Sequence, residues 1–139
     1  MTYVALVLPR WSDMDVYGHV NHANLVTLLE EARIPLLFGE SVRQGLSELS
    51  KGMVVVSLQV RYRAPIVVSG QKIRVEISLK ELKYASCTLT YKVHRGPSEE
   101  DKVAVTAETV LAPYDVVTER PRRLTDPERE FLRRGLTGA

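Results

Sequence analysis

Apolar residues recur along this chain with two different periods, and the change of period divides it. Leu25, Leu28, Leu29, Ala32 and Leu36 stand at i, i+3, i+4, i+7 and i+11, which is one face of an amphipathic helix. Asn21 is the predicted N-cap, with His22 as the first helical residue. Pro35 falls late in the pattern, removes a backbone donor and predicts a kink or an end nearby. Gly39 is the expected stop, and Ser41 to Leu49 predicts a short second helix. Ahead of the long helix, Tyr3 to Leu8 is a β-prone apolar run closed by Pro9, read as a strand.

Downstream the period falls to two. Val56, Leu58, Val60 and Tyr62 alternate with polar or charged residues, as do Ile73, Val75, Ile77 and Leu79, then Cys87, Leu89, Tyr91 and Val93. Val103, Val105, Ala107, Thr109 and Leu111 form a weaker fourth case. Alternation with one apolar face predicts antiparallel strands packed on something apolar. The breaks at Ala64-Pro65, Ser69-Gly70, Glu81 to Tyr84 and Gly96 to Asp101 are short, so a meander with tight connections is expected. Only the helix beginning near His22 is long enough to cover such a sheet. The expectation is an α+β domain over residues 1–139, an antiparallel sheet of about five strands wrapped around one long helix. A basic tail runs from about residue 118. In it, Asp126-Pro127-Glu128 predicts the start of a short helix with Leu132 as its main apolar contact.

Composition narrows the class. Apolar residues make up 45% and charged residues 26%, which reads as globular rather than disordered. The net charge of +2 gives no argument for a nucleic-acid partner, and the acidic residues mixed into the tail favour a solvated face there. One cysteine, Cys87, excludes an internal disulfide framework and fits a reducing compartment. No apolar stretch approaches a membrane span, and the first residues lack the pattern of a signal peptide. The cytoplasm is the expected location.

Chemistry is concentrated in Trp11 to Arg33, WSDMDVYGHVNHANLVTLLEEAR. Two carboxylates, two imidazoles and two carboxamides crowd the loop and first turn of the long helix. A helix start needs one cap, so the excess points to a site, and a helix N-terminus suits developing negative charge. Asp13 and Asp15 fit turn chemistry or a general base or nucleophile. Gly18 permits a positive φ or a close approach to a ligand. Asn21 and Asn24 fit the cap and N3 positions. The backbone amides of His22 and Ala23 are orphan donors that could form an oxyanion hole. His22 itself packs, caps or orients a substrate. His19 and His22 have only the distant His94 as a third histidine, so no metal site and no cofactor are expected. Glu30 is expected in solvent, paired with Arg33. Glu31 lies nearer the apolar stripe, as a possible second carboxylate facing the pocket. Neither Ser12 nor Cys87 sits in a recognisable nucleophile setting, and no phosphate loop is present.

DMDVYGHVNHANLVTLLEEAR resembles the signature of hotdog-fold acyl-CoA thioesterases of the 4-hydroxybenzoyl-CoA thioesterase type, through Asp13, Asp15, Gly18, Val20, His22 and Asn24, then Glu30, Ala32 and Arg33. The His19-Val20-Asn21 triplet is also similar to acyl-ACP thioesterases. VRYRAPIVVSGQKIRVEISL and VTAETVLAPYDVVTERPRRL extend the likeness over nearly the whole chain. The resemblance implies hydrolysis of an acyl-CoA to free acid and CoA. It implies Asp15 as base or nucleophile and the His22 N–H polarising the thioester carbonyl. It further implies a homodimer, often paired into a homotetramer, with acyl pockets between subunits. Asn21 and Leu25 replace residues frequent in the family and reshape the acyl pocket. Arg61, Arg63, Lys83 and Arg95 are candidates for the CoA phosphates. A non-catalytic acyl-CoA or acyl-carrier-protein binding module on the same fold is the alternative, and a hotdog dehydratase a further one.

Overall fold

The computed structural model describes residues 2–137. β1 (Tyr3–Val7) leads through a 3-10 turn (Trp11–Asp13) into α1 (His22–Ile34), which carries on as a π-helical segment (Pro35–Glu40) and a last turn, α2 (Ser41–Arg43). Then come α3 (Ser47–Lys51), β2 (Met53–Tyr62), β3 (Ile73–Leu82), β4 (Cys87–His94), β5 (Val103–Asp115), the two-residue β6 (Arg120–Pro121) and α4 (Asp126–Thr137). Among the described residues no helix is long and apolar enough to cross a membrane.

The long helix begins where the cap predicts: the Asn21 side-chain oxygen accepts from the Ala23 and Asn24 amides. Leu25, Leu28, Leu29, Ala32 and Leu36 are all buried. Pro35 ends the α-helix without stopping the rod, because a missing donor can be accommodated by a wider turn. Gly39 does not stop it either. The stop is Gly45, at φ +79°. There the Gly45 amide bonds Val42 O and the Leu46 amide bonds Ser41 O, the paired bonds of a Schellman cap. The second helix is therefore confined to Ser47–Lys51.

The sheet is antiparallel in the order β1-β3-β4-β5-β2. Its inner face is built in rows across the strands: Val75, Val93, Val105, Tyr62; Ile77, Tyr91, Ala107, Val60; Leu79, Leu89, Thr109, Leu58. Tyr62 and Leu58, at the β2 ends of their rows, are half-exposed, and the other apolar members pack with the buried face of α1 into one core, which is the α+β hotdog arrangement expected. The meander holds for β3, β4 and β5 and fails at the first connection. β2 pairs with β5, not with its successor β3. Residues 63–72 must therefore cross the end of the sheet from one strand to another three places away, roughly 14 Å at the usual strand spacing. The expected apolar face of β2 is also interrupted, since a bulge at Val56 shifts the register between Val55 and Ser57.

The tail is more ordered than its composition suggests. α4 buries Phe131 and Leu136 as well as Leu132. Thr125 and Glu128 form a capping box, with the Glu128 amide donating to Thr125 Oγ1 and the Thr125 amide to Glu128 Oε1. Arg122 holds both oxygens of buried Glu128 at 2.8 and 2.9 Å. Burial raises the Glu128 pKa, but Arg122 and the Thr125 amide outweigh it and leave the carboxyl below its usual range.

Candidate active site

The polar cluster folds as a small hairpin before α1. Met14 bridges Val20, the Asp15 amide bonds His19 O, and the Gly18 amide bonds Asp15 O. Gly18 closes the turn at φ +77°, a conformation that L side chains resist. Asp15 Oδ1 accepts from the Tyr17 amide at 2.8 Å and the His19 amide at 3.1 Å. Among the described residues Oδ2 has no hydrogen-bond partner. The carboxyl plane is thus fixed through one oxygen.

The crossing segment completes the site. Val20 N donates to Ile66 O and Val68 N to Gly18 O, so residues 66–68 lie against the hairpin. Ala104 is an extra residue in β5, between the Val93–Val105 and His94–Val103 pairs, and its carbonyl takes the amides of both Arg63 and Ala64. The result is a cavity of about 400 Å³ between hairpin, helix start and strand end. Asp15, His19 and His22 supply its polar wall, and Leu25, Ile66 and Val105 its apolar wall. Tyr62 and Arg63 close the side nearest β2.

The other predicted residues separate into distinct tasks. Val20 lines the cavity beside Asp15. Asn21 caps α1, and in doing so takes the Ala23 amide at 2.8 Å. Ala23 is therefore not a free oxyanion donor, which corrects that expectation. The His22 amide has no partner among the described residues. Asn24 ties α1 to the 3-10 turn, its Nδ2 donating to Ser12 O at 3.3 Å. Asp13 is buried and structural. Arg10 grips it with Nε and Nη2 at 3.1 Å each and with its own amide at 2.8 Å. The Arg10 guanidinium, with that amide, holds the Asp13 carboxyl below its usual range despite the burial that opposes it. Glu31 does not face the cavity: it points to Arg10, with Nη1 at 3.5 Å. Arg33 does not pair with Glu30. Its Nη1 donates instead to the Tyr91 hydroxyl at 3.2 Å. Burial pushes the Cys87 thiol up to about 12, which leaves it protonated and inert.

Of the four candidate phosphate ligands, Arg63 lines the cavity and also a hollow on the outer sheet face, where Arg61, Lys80 and Lys92 stand. Lys83 sits in the β3–β4 turn at the opposite end of the sheet, with Glu81 at 3.6 Å. Arg95 follows β4, two strands across from β2, and does not line the cavity. Tyr62, Ile66 and His19 were not singled out as pocket residues by the sequence. The Ala64-Pro65 break directly after a strand is the signal for Tyr62 and Ile66, and the crowded polar segment is the signal for His19.

A family model for the thioesterase-like superfamily matches residues 9–134. The long-chain acyl-CoA thioesterase FadM of Escherichia coli (strain K12) is 30% identical over 123 residues, which are 88% of this chain and 91% of that relative. A thioesterase from Thermus thermophilus, solved in complex with coenzyme A and Zn, is 27% identical and superposes with a TM-score of 0.74, covering 94% of this chain and 91% of its own. The 1,4-dihydroxy-2-naphthoyl-CoA thioesterase of Synechocystis shares the fold at 16% identity, with a TM-score of 0.75 over 95% and 96% of the two chains.

Proposed function

The chain belongs to the thioesterase-like superfamily, and we propose that it is an acyl-CoA thioesterase in which Asp15 and the first turn of α1 carry out hydrolysis. One observation supports this most strongly. Asp15 has one oxygen locked by two amides and the other unpartnered, in a cavity that also holds the unpaired end of α1. The His22 amide, at the positive end of the helix, stabilises the oxyanion that forms as the thioester carbonyl is attacked. Asp15 Oδ2 either takes a proton from the attacking water or attacks the carbonyl carbon, giving a mixed anhydride that water then opens. Both routes consume one water and release the acid and the CoA thiol. Arg63, reaching from the cavity to the outer face with Arg61 beyond it, takes the CoA phosphates.

The working unit in this reading is a homodimer formed through β2. Among the described residues that strand pairs only with β5, so its other edge presents unpaired backbone groups. Val54, Val55, Val56 and Leu58 are 41–62% exposed along it. A long apolar edge is a template for a second strand, and a second copy of β2 supplies one of matching length. Val56→Lys places a charge on that edge and is expected to shift the protein to a monomer by sedimentation velocity. An unchanged sedimentation coefficient removes β2 as the interface, and the parent value separates dimer from tetramer.

Asp15→Asn keeps an oxygen to accept the Tyr17 and His19 amides, so the hairpin survives. Turnover of a panel of short, long and aromatic acyl-CoAs should fall by about 10³-fold or more, the scale of losing a general base or nucleophile, with the melting temperature little changed. Thiol release near the parent rate in the variant defeats the assignment. Tight acyl-CoA binding without release by the parent indicates a binding module.

A further inference from the structure

We propose that the far end of the seam between α1 and β2 is a polar subsite that recognises a hydroxyl group on the acyl chain, with Thr109 at its centre; this rests on the thioesterase reading above. Thr109 is 1% exposed, and its Oγ1 has no hydrogen-bond partner. Buried hydroxyls are seldom left unpaired, because the lost hydration is not recovered. This one borders a second cavity of about 110 Å³, walled by Val26, Leu29, Val55 and Leu58, with Glu30 and Arg33 at its edge. Arg33 is half-buried and has no carboxylate within ion-pairing distance among the described residues. Its one hydrogen bond goes to the Tyr91 hydroxyl.

Three polar groups with different demands therefore converge on a space sized for a small substituent. A carboxylate there meets Glu30, and an ammonium meets Arg33. A methyl leaves the Thr109 hydroxyl unsatisfied. A hydroxyl accepts from both Arg33 and Thr109 through its two lone pairs and donates to Glu30, so it suits all three.

This second cavity lies further down the seam of α1 and β2 than the one that holds Asp15. Leu29 is seven residues beyond His22 on α1, about 10 Å at the helical rise. Leu58 is four residues from Tyr62 on the same face of β2, about 13 Å at the strand rise. The row between the two cavities is apolar, with Val60 and Ala107 paired. The geometry thus calls for a medium-length chain with its hydroxyl in the distal half. A site that hydrogen-bonds a hydroxyl rejects the analogue without one, because its own buried group is then stranded.

The test compares thiol release from CoA esters of ω-hydroxy acids, hexanoyl to dodecanoyl, with their unsubstituted counterparts. At the best-fitting length the parent should favour the hydroxylated ester by about tenfold in kcat/KM, the effect of one paired buried hydroxyl. Thr109→Val, isosteric and expected to melt no lower than the parent, should erase that preference, and Thr109→Ser should keep it. A preference for the plain alkyl esters, or a ratio unmoved by Thr109→Val, overturns the subsite and leaves the thioesterase reading standing. No release from any of these esters also overturns the subsite, and release from the aromatic acyl-CoAs then separates its failure from that of the thioesterase reading.

Discussion

The Tyr62 hydroxyl donates a 2.6 Å hydrogen bond to the backbone carbonyl of His22, joining the last residue of β2 to the first of α1. The His22 ring stands edge-on to the Tyr62 ring with centroids 6.5 Å apart. A strand that pairs with β5 alone among the described residues thereby sets the position of the helix end to which the proposed mechanism brings the substrate carbonyl.

Removing that hydroxyl separates position from fold. Tyr62→Phe keeps the ring and loses the bond. The expected result is a fall of about tenfold in kcat/KM, equivalent to about 1.4 kcal/mol, with a melting temperature within a few degrees of the parent. Steady-state kinetics beside a thermal melt read both, and unchanged kinetics dismiss the tether.

Gly18 tests the hairpin from the other side. Its surroundings leave space for a Cβ, so only the positive φ opposes a side chain. Gly18→Ala should cost about 1–2 kcal/mol, the penalty for an L residue in that region. It should also lower turnover, because the same turn aims the Tyr17 and His19 amides at Asp15. Gly18→Asn should be milder on both counts. Equal losses for the two variants point to a steric rather than a conformational cause.

Stability should fail on the acid side. Asp13 is held below its ordinary 3.8 first by its hydrogen bond to Arg10. Glu76 is held below 4.5 first by Arg74, with His94 adding to it. Glu128 is held below 4.5 by Arg122 and the Thr125 amide against its own desolvation. Each folded value lies beneath the unfolded one, so the stabilisation is complete above the unfolded values and is lost as pH falls through the folded ones. Urea midpoints should therefore hold steady from neutrality to about pH 5 and decline below it. Asp13→Asn should lower the neutral midpoint and flatten part of that decline. A slope identical to the parent's leaves the Arg10 clamp out of the acid transition.

Local patterns made much of this molecule legible. The 3.6-residue period marked the buried face of α1 residue by residue, because that face is set by helical geometry alone. Asn21 announced the helix start because its side chain satisfies two amides only a few residues away. The crowded polar segment before it marked where chemistry lies, and alternation marked the strands.

Connections between distant segments were decided elsewhere. Ala64-Pro65 looks the same in sequence whether it turns a hairpin or begins a crossing, since a turn signal says that a strand stops but not which strand pairs next. Only pairing of β2 with β5 sends residues 63–72 across the sheet end, and that crossing lays Ile66 against the hairpin and makes the cavity. Likewise Glu31 turns to Arg10 and Arg33 to Tyr91, partners 21 and 58 positions away. Thr109 reads as one more strand threonine until the packing of α1 and β2 leaves its hydroxyl alone beside a cavity. A side chain's neighbours along the chain follow from φ, ψ and period, whereas its neighbours across the fold follow from which strands meet.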